Sequence, residues 1–411
     1  MTYNQAIDWL FKIPLSFNRN YDNYDLKLEP VYKFCSYVGN PQNDLKIIHV
    51  GGTNGKGSTS HITSAILQKH GKRIGIFSSP HLIDFRERIK INGEYIEKKF
   101  IKIFISKYRS FIIKNKISFF EISFIMSLCY FKKKKVNYAV IEVGLGGRLD
   151  ATNICDPIIS CITNIGFDHK KFLGNTLKKI ALEKAGIIKY KTPIVVGEKR
   201  KELKKLFKDI STKFSSPIIF TDSIRANIKN QFNQADYQLY NIEAAKKIVE
   251  LIDEIKIDNH KILSAVNNFK SITNFIGRWQ IIKDKPLIIV DSAHNYDAFK
   301  EVVSQLERTK KKIKMIFGTL NKIDQLKIID ILPKNFFYYF CEPKIDRFMP
   351  VEKIKFKANK NNLKFKIFKS STIAYKEALK ECNLDHIIFI SGSSFIVSEI
   401  LKIHEKNKFY F

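Results

Sequence analysis

Residues 47–59 read IIHVGGTNGKGST, and this stretch decides the fold class. A short apolar run leads into a glycine-rich loop and then into a helical pattern that begins near Ser58. Such a loop wraps a polyphosphate with backbone N–H groups, because glycines permit close approach and a helix N-terminus carries partial positive charge. The sequence departs from the usual phosphate-loop motif at two positions. Val50 occupies the position of the first glycine of that motif, and Gly57 separates Lys56 from the hydroxyl-bearing Ser58. The order of elements predicts nucleotide binding, with a flexible turn as the alternative.

Composition sets limits on size and on partners. The chain has 411 residues, 45% hydrophobic and 13% aromatic, which is enough for two domains with filled cores. A formal charge of +31 would suit nucleic acid or a membrane surface, but the lysines are spread along the whole chain. We therefore interpret the charge as assisting anionic small substrates and expect a monomer without nucleic-acid or membrane partners.

Cysteine usage and the absence of a leader favour a cytoplasmic location. The six cysteines form no CxxC pair, and the N-terminus shows no basic segment followed by an apolar run. Residues 117–131 are strongly apolar and are followed by four lysines, as in a stop-transfer segment. Because this run is too short for a bilayer and contains Glu121, it predicts a buried helix.

Polar side chains follow three further apolar runs that read as strands, at residues 73–77, 138–143 and 157–163. Ser79 follows the first run, Glu142 ends the second and His169 comes shortly after the third. In a parallel sheet these carboxyl ends share one edge with the phosphate loop, so Glu142 is a candidate Mg²⁺ ligand. The alternatives are ordinary turn chemistry for the serine, a solvated strand end for the glutamate and an exposed loop histidine.

Strands alternating with helices predict an α/β fold. We expect a phosphate-loop domain with a mostly parallel sheet flanked by helices at residues 1–282, a polar linker at 283–286, and a smaller Rossmann-like α/β domain at 287–411. The N-terminal part contains a loop at 18–23, rich in Asn and Asp. In the second domain Asp291 and His294 follow a strand, either as a plain turn or as contacts across a domain cleft. By residue chemistry alone Lys184, on a predicted helix at 177–188, is a solvated charge.

Eight motifs occur in a specific order along nearly the full chain: GGTNGKGST, FSSPHL, IEVGLGGRLDATN, NIGFDH followed by FLG, EKAGIIK, GRWQ, VDSAHN and SGSS. With these motifs the chain resembles the folylpolyglutamate synthase and dihydrofolate synthase family, within the ATP-dependent ligases that include the muramyl-peptide ligases. The run GLGGRLDATN with EKAGI downstream is the most specific part of the resemblance.

The resemblance implies roles for individual residues. ATP is cradled by Thr53, Asn54, Gly55, Lys56, Gly57 and Ser58 and contacted by Asn241, Arg278 and Asp291. Mg²⁺ is bound by Ser79, Glu142 and His169, and also by Lys184 if that residue is carbamylated by CO₂. The pterin segments are Ser118, Phe119, Phe120 and Glu121, together with Leu149, Asp150 and Ala151. Lys56, Lys184, His169 and His294 form the catalytic set.

The implied reaction joins L-glutamate to dihydropteroate, to folates, or to both. The substrate carboxylate takes the γ-phosphoryl group of ATP, and the acyl phosphate is then attacked by the amine of glutamate while domain closure excludes water. ATP and Mg²⁺ are the implied cofactors, and a requirement for a monovalent cation stays open. Departures from the family pattern are Pro30, Lys170, Ile276 and Tyr296.

Two other functions stay open at this stage. A muramyl-peptide ligase shares the ATP machinery but would carry a third domain before the phosphate loop, whereas only about 45 residues precede it here. A basic phosphate-loop protein that binds nucleic acid is the other alternative, and salt-sensitive DNA or RNA binding without ligation would favour it.

Overall fold

The computed structural model describes residues 1–14, 28–221, 235–321 and 323–407. It divides into two compact units, Met1–Phe275 and Ile276–Phe411. The loop predicted at residues 18–23 lies outside the described residues.

Unit 1 is built on an eight-stranded sheet of order β4-β3-β2-β5-β1-β6-β7-β8. Its strands are β1 (Ile47–Gly51), β2 (Ile74–Phe77), β3 (Ile89–Ile91), β4 (Glu94–Tyr95), β5 (Tyr138–Glu142), β6 (Ile159–Ile162), β7 (Ile194–Val196) and β8 (Ile218–Phe220). Neighbouring strands pair in parallel along the series β2, β5, β1, β6, β7 and β8. β3 and β4 extend the β2 edge of the sheet with antiparallel pairing. β1 and its neighbours β5 and β6 are buried and mostly apolar, as expected for central strands of a parallel sheet, with His49, Glu142 and Ser160 as their polar members.

Helices cover both faces of this sheet. They are α1 (Tyr3–Lys12), α2 (Glu29–Tyr37), α3 (Lys56–Lys69), α4 (Lys98–Lys114), α5 (Phe119–Lys133), α6 (Lys170–Leu173), α7 (Leu177–Ala185), α8 (Lys201–Lys213), α9 (Gln238–Glu250) and α10 (Asn259–Ile272). α3 is buried along most of its length, because α9 and α10 pack against it. None of the described helices combines the length and the apolar composition that crossing a bilayer requires.

Unit 2 carries a six-stranded sheet of order β13-β12-β11-β14-β10-β9. The strands are β9 (Gln280–Asp284), β10 (Leu287–Val290), β11 (Lys312–Phe317), β12 (Phe337–Cys341), β13 (Lys364–Phe368) and β14 (His386–Ser391). The helices are α11 (Tyr296–Glu307), α12 (Ile323–Leu326), α13 (Val351–Lys360), α14 (Ser371–Lys380) and α15 (Ser394–Asn407). All strand pairs are parallel except β9 with β10. The predicted fold class, two α/β units of unequal size, is confirmed.

The predicted linker at residues 283–286 needs correction. Lys283 and Asp284 belong to β9, which pairs with β10 as an antiparallel hairpin, and residues 285–286 form its turn. The boundary between the units falls at Phe275 and Ile276 instead. β9 is an exposed edge strand of the second sheet, and such strands often carry polar side chains. Its polar end therefore resembled a linker in the sequence.

The core of unit 1 yields a prediction on stability. Phe131 is fully buried on α5, and its ring covers Gly75 of β2, where an added Cβ would lie 2.6 Å from the ring. Phe131→Ala should therefore lower the free energy of unfolding by about 3–5 kcal/mol, because a large cavity is left. Phe356→Ala, at a side chain that is 77% exposed, is the matched control. Urea unfolding followed by circular dichroism measures both, and equal losses would contradict this packing.

Candidate nucleotide and ligase site

The carboxyl ends of β2, β5, β1 and β6 lie side by side at one edge of the sheet. The strands are parallel, with Val50 opposite Glu142 and Gly51 opposite Ile162. Each strand therefore delivers its following loop to the same place. The sequence prediction that the phosphate loop (residues 51–57), the serine turn and the glutamate share an edge follows from this register.

The phosphate loop is fixed by hydrogen bonds to the segment that follows β6. The amides of Thr53 and Asn54 donate to the backbone and side-chain oxygens of Asn164, both at 2.9 Å. Asn164 Nδ2 returns a bond of 3.0 Å to the carbonyl of Asn54, and Thr163 Oγ1 donates to the same carbonyl at 2.6 Å. The loop conformation is thus set by its neighbour, and sequence reasoning did not select Thr163 or Asn164 as site residues.

Two glycines of the loop adopt positive φ, and their neighbours also leave no room for a side chain. Gly52 has φ +136°, and a Cβ there would lie 1.9 Å from Thr163 Oγ1. Gly55 has φ +84°, and a Cβ would lie 2.1 Å from Asn241 Oδ1. Asn241 of α9 therefore touches the loop, where the resemblance expects an ATP contact. Its Nδ2 donates to Gln238 Oε1 at 2.7 Å, which fixes the orientation of the amide.

Two lysine ammonium groups converge on one carbonyl of the loop. Lys56 Nζ donates to the carbonyl oxygens of Gly52 and Thr53, both at 3.2 Å. Lys184 Nζ donates to the Gly52 carbonyl at 2.8 Å. Lys56 and Lys184, two of the four predicted catalytic residues, therefore lie together at the phosphate loop.

Lys184 is not the solvated charge that residue chemistry alone indicates. It is 4% exposed, because the end of α7 directs it under the phosphate loop. Burial, and then the charge of Lys56, lowers the pKa of Lys184 to about 7, although Asp168 and Asp150 oppose the shift. A substantial fraction of the amine is therefore neutral near neutral pH.

Glu142 forms the acidic part of the site. Its carboxylate is 4% exposed and accepts the Ser79 N–H at 3.1 Å. A Cβ on Gly57, in the first turn of α3, would lie 3.5 Å from Glu142 Oε2, so the carboxylate faces the phosphate-loop helix. Arg88 is buried nearby; burial lowers its pKa to about 10, and the charge of Glu142 opposes that shift.

His169 lies in a different environment from Glu142. It has φ +50° and precedes α6, its N–H donates to Asp168 Oδ1 at 2.8 Å, and its side chain is 39% exposed. Across the described ranges, no three His, Cys, Asp or Glu side chains are grouped closely enough to hold a metal ion. Binding of Mg²⁺ by Ser79, Glu142 and His169 therefore stays a prediction.

The first predicted pterin segment forms the start of α5. Ser118 and Glu121 make a capping box, with the Ser118 N–H donating to Glu121 Oε2 at 2.7 Å. Phe119 lies under the Arg88 guanidinium at 5.0 Å, and the ring of Phe120 packs against Phe77. The two polar groups thus cap the helix, Phe119 and Arg88 are buried, and Phe120 is only partly buried, so pterin binding by this segment stays a prediction.

In unit 2 the predicted site residues Arg278, Asp291 and His294 lie near the carboxyl end of β10. Asp291 is 2% exposed and accepts the N–H groups of Trp279 and Ala293, each at 2.8 Å. Arg278 Nη1 lies 4.0 Å from Asp291 Oδ1, and His294 Nδ1 donates to the Ser292 carbonyl at 3.0 Å. Asp291 therefore joins the entry segment of unit 2 to the turn after β10.

Comparisons with known proteins agree with these features. Residues 50–278 match the Mur ligase middle domain, and residues 277–394 match the Mur ligase glutamate ligase domain. A dihydrofolate synthase/folylpolyglutamate synthase from Buchnera aphidicola subsp. Acyrthosiphon pisum is 34% identical over 89% of this chain and 91% of its own length. The chain belongs to the dihydrofolate synthase/folylpolyglutamate synthase family. Members of this family are ATP-dependent ligases that form an amide bond.

Two further similarities extend the comparison. A probable bifunctional folylpolyglutamate synthase/dihydropteroate synthase from Haloferax volcanii is 26% identical over 84% of this chain, but the chain spans only 44% of that protein. The fold is shared with Mycobacterium tuberculosis folylpolyglutamate synthase complexed with ADP, at a TM-score of 0.87 and 22% identity, with 98% of both chains covered.

The sequence analysis did not select several residues whose role depends on contacts with other segments of the chain. Thr163, Asn164 and Gln238 shape the phosphate loop and its neighbour, and Arg88 lies between Phe119 and Glu142. For Thr163 and Asn164 a signal existed, because both directly follow a strand at the predicted ligand edge. Arg88 ends a 3₁₀ helix, Phe85–Arg88, immediately before β3, and its sequence context gave no such signal.

The lowered pKa of Lys184 predicts a pH-dependent stability. In the unfolded chain a lysine has a pKa of about 10.4, so between about pH 7 and pH 10 the unfolded state binds more protons than the folded state. The unfolding free energy of the native protein should therefore rise with pH relative to that of Lys184→Met, in bicarbonate-free buffer. Below about pH 7 both states are protonated, and the difference should level off.

Urea unfolding of both proteins across this pH range measures the effect. Lys205→Met, at an exposed lysine of α8, reports the effect of the substitution itself. A constant difference between the native protein and Lys184→Met at all pH values would contradict the lowered pKa.

Proposed function

We propose that this chain uses ATP and Mg²⁺ to join L-glutamate to the carboxylate of dihydropteroate, of a folate, or of both. The convergence of Lys56 and Lys184 on the Gly52 carbonyl, beside a buried Glu142, carries the proposal. The Lys56 ammonium group and the glycine-rich loop favour a polyphosphate, and the carboxylate of Glu142 favours a divalent cation.

The residues suggest how the reaction is organised. The substrate carboxylate attacks the γ-phosphorus in line, ADP leaves, and the glutamate amine then displaces phosphate from the acyl phosphate to form the amide. Lys56 and the N–H groups of the loop would stabilise negative charge on the transferring phosphoryl group. The buried site limits competition from water, which would hydrolyse the acyl phosphate.

Glu142 has the chemistry that a divalent cation requires, because it is a buried carboxylate facing the first turn of α3. Together with Ser79 and His169 it would hold Mg²⁺, which neutralises phosphate charge when bound. Arg278, Asp291 and His294 of unit 2 are proposed to contribute to ATP binding and catalysis, as the resemblance implies.

We also propose that CO₂ carbamylates Lys184. The neutral amine attacks the carbon of CO₂, a new N–C bond forms, one C–O double bond becomes a carboxylate, and a proton leaves. The pKa of about 7 supports this step, since a neutral amine is available near neutral pH. Carbamylation also replaces the repulsion between Lys184 and Lys56 by attraction.

The first test is ligation by the native protein. ADP formation is measured with ATP, Mg²⁺ and L-glutamate, with dihydropteroate and tetrahydrofolate offered separately, and the glutamylated product is identified by mass spectrometry. Turnover with one or both substrates is expected. Salt-sensitive binding of nucleic acid without any ligation would contradict the proposal.

Lys56→Ala should lower kcat by roughly a thousandfold or more, because the charge that faces the phosphoryl group is lost. Lys69→Ala, at an exposed lysine of the same helix, should retain native activity. The two variants are compared in the ADP assay under saturating substrate. Retained turnover in Lys56→Ala would refute the role of the loop.

Carbamylation of Lys184 predicts chemical rescue. Lys184→Ala should lose most activity, and formate or acetate should restore part of it, because a short carboxylate can take the place of the carbamate. Native protein assayed with and without these acids is the control. Unchanged kinetics in Lys184→Ala, or no response to any short acid, would remove the carbamate from the mechanism.

A further inference from the structure

His49 is a buried polar residue that the proposed mechanism does not use. It lies in the middle of β1, opposite Ile141 of β5 and Ser160 of β6, and its side chain is completely buried. Burial, and then the charge of Lys189, lowers the pKa of His49 to about 3. The imidazole is therefore neutral near neutral pH and acts only through its hydrogen bonds.

A chain of hydrogen bonds runs from His49 to Asp150. His49 Nε2 lies 2.8 Å from Thr152 Oγ1, and this hydroxyl donates to Asp150 Oδ1 at 2.5 Å. A hydroxyl has one proton, and Thr152 gives it to the carboxylate. The hydroxyl must then accept from His49, which places the imidazole proton on Nε2.

Asp150 closes the loop formed by residues 144–150. Its Oδ2 accepts the Leu145 N–H at 2.7 Å, and its Oδ1 also accepts the Thr152 N–H at 3.0 Å. Burial raises the pKa of Asp150, and hydrogen bonds from these groups and from the Gly144 N–H oppose that shift. One buried carboxylate thus holds both ends of the loop.

The loop links the predicted pterin segment to Lys184. A Cβ on Gly147 would lie 3.0 Å from the Lys184 carbonyl, and the Arg148 N–H donates to the Glu183 carbonyl at 2.8 Å. The charge of Asp150 also favours the protonated form of Lys184. A shift of the loop would therefore displace residues 149–151 and disturb the backbone that carries Lys184.

The histidine carries a cost in stability. His49 Nδ1 is buried and has no hydrogen-bond partner among residues 1–14, 28–221, 235–321 and 323–407. An unpaired buried acceptor destabilises the folded state, and an apolar side chain at this position would avoid that cost. The neighbouring positions Ile48 and Val50 are apolar. A histidine here is therefore better explained by the donor it supplies to Thr152 than by packing.

We propose that His49 is a positioning residue for the pteroate or folate substrate. Through Thr152, its Nε2–H orients Asp150, which holds loop 144–150 and with it the pterin segment at residues 149–151. His49 itself does not touch the substrate. The inference rests on the proposed function for the identity of the substrate, but the geometry of the loop can be measured independently.

Three variants separate positioning from stability. His49→Leu removes the donor, and His49→Gln offers an amide N–H near the position of Nε2. The double variant His49→Leu with Thr152→Val also removes the hydroxyl that donates to Asp150, so the carboxylate that holds loop 144–150 loses the whole chain of bonds from β1. Steady-state kinetics, thermal unfolding and amide hydrogen exchange of residues 144–150 are measured for each.

His49→Leu should raise the KM for the pteroate or folate substrate about tenfold, and the KM for ATP should change less than about twofold. ATP binding is spared because Thr163 and Asn164 hold the phosphate loop independently. The amides of loop 144–150 should exchange faster. His49→Gln should restore the KM and the exchange rate in large part, whereas the double variant should keep the raised KM.

The matched control is a second buried histidine and threonine pair in unit 1. His61 Nδ1 lies 2.8 Å from Thr273 Oγ1, which donates to the Phe269 carbonyl at 2.6 Å. His61→Leu therefore removes the same type of bond away from loop 144–150. It should lower stability without raising the KM for the pteroate or folate substrate or the exchange rate of the loop.

The experiments distinguish a failure of the proposed ligase function from a failure of the positioning role of His49. If the native protein ligates neither substrate, the proposed function fails, while faster exchange of loop 144–150 in His49→Leu still supports the positioning role. If the exchange rate in His49→Leu equals that of the native protein, the inference is overturned. A double variant that is stable and has the native KM overturns it as well.

Discussion

The attachment of the phosphate loop to the segment after β6 is the constraint on which the site depends. Thr163 and Asn164 hold the loop backbone, and the Gly52 carbonyl then faces the two ammonium groups of Lys56 and Lys184. This works only because β1 and β6 are adjacent and parallel, so that both loops leave the sheet at one edge. A shift in register would separate the cations from the loop they serve.

Burial gives these charged groups properties that they lack in water. Two lysines close together repel each other, and desolvation lowers the pKa of Lys184 to about 7. The same low-polarity surroundings strengthen the attraction of the site for phosphate oxygens. The site thus stores unfavourable charge repulsion that an anionic ligand relieves, and for this reason we connect its geometry with polyphosphate chemistry.

His49, Thr152 and Asp150 form a second buried network of hydrogen bonds. It joins the central strand to loop 144–150, whereas the bonds from Thr163 and Asn164 join the phosphate loop to β6. The bonds named for the two networks involve different residues, so different side chains hold the phosphate loop and loop 144–150.

The sequence by itself determined the fold class, the positions of several strands along the chain and the family, because apolar periodicity and glycine-rich motifs are local signals. It also placed Ser79, Glu142 and the phosphate loop at one edge, since parallel strands follow from alternation with helices. Tertiary structure alone decided the burial of Lys184, the position of Arg88, the links from Thr163 and Asn164, and the hairpin at 283–286. These features depend on contacts between residues far apart in the chain, and a local pattern carries no information about desolvation or about which loop another loop meets.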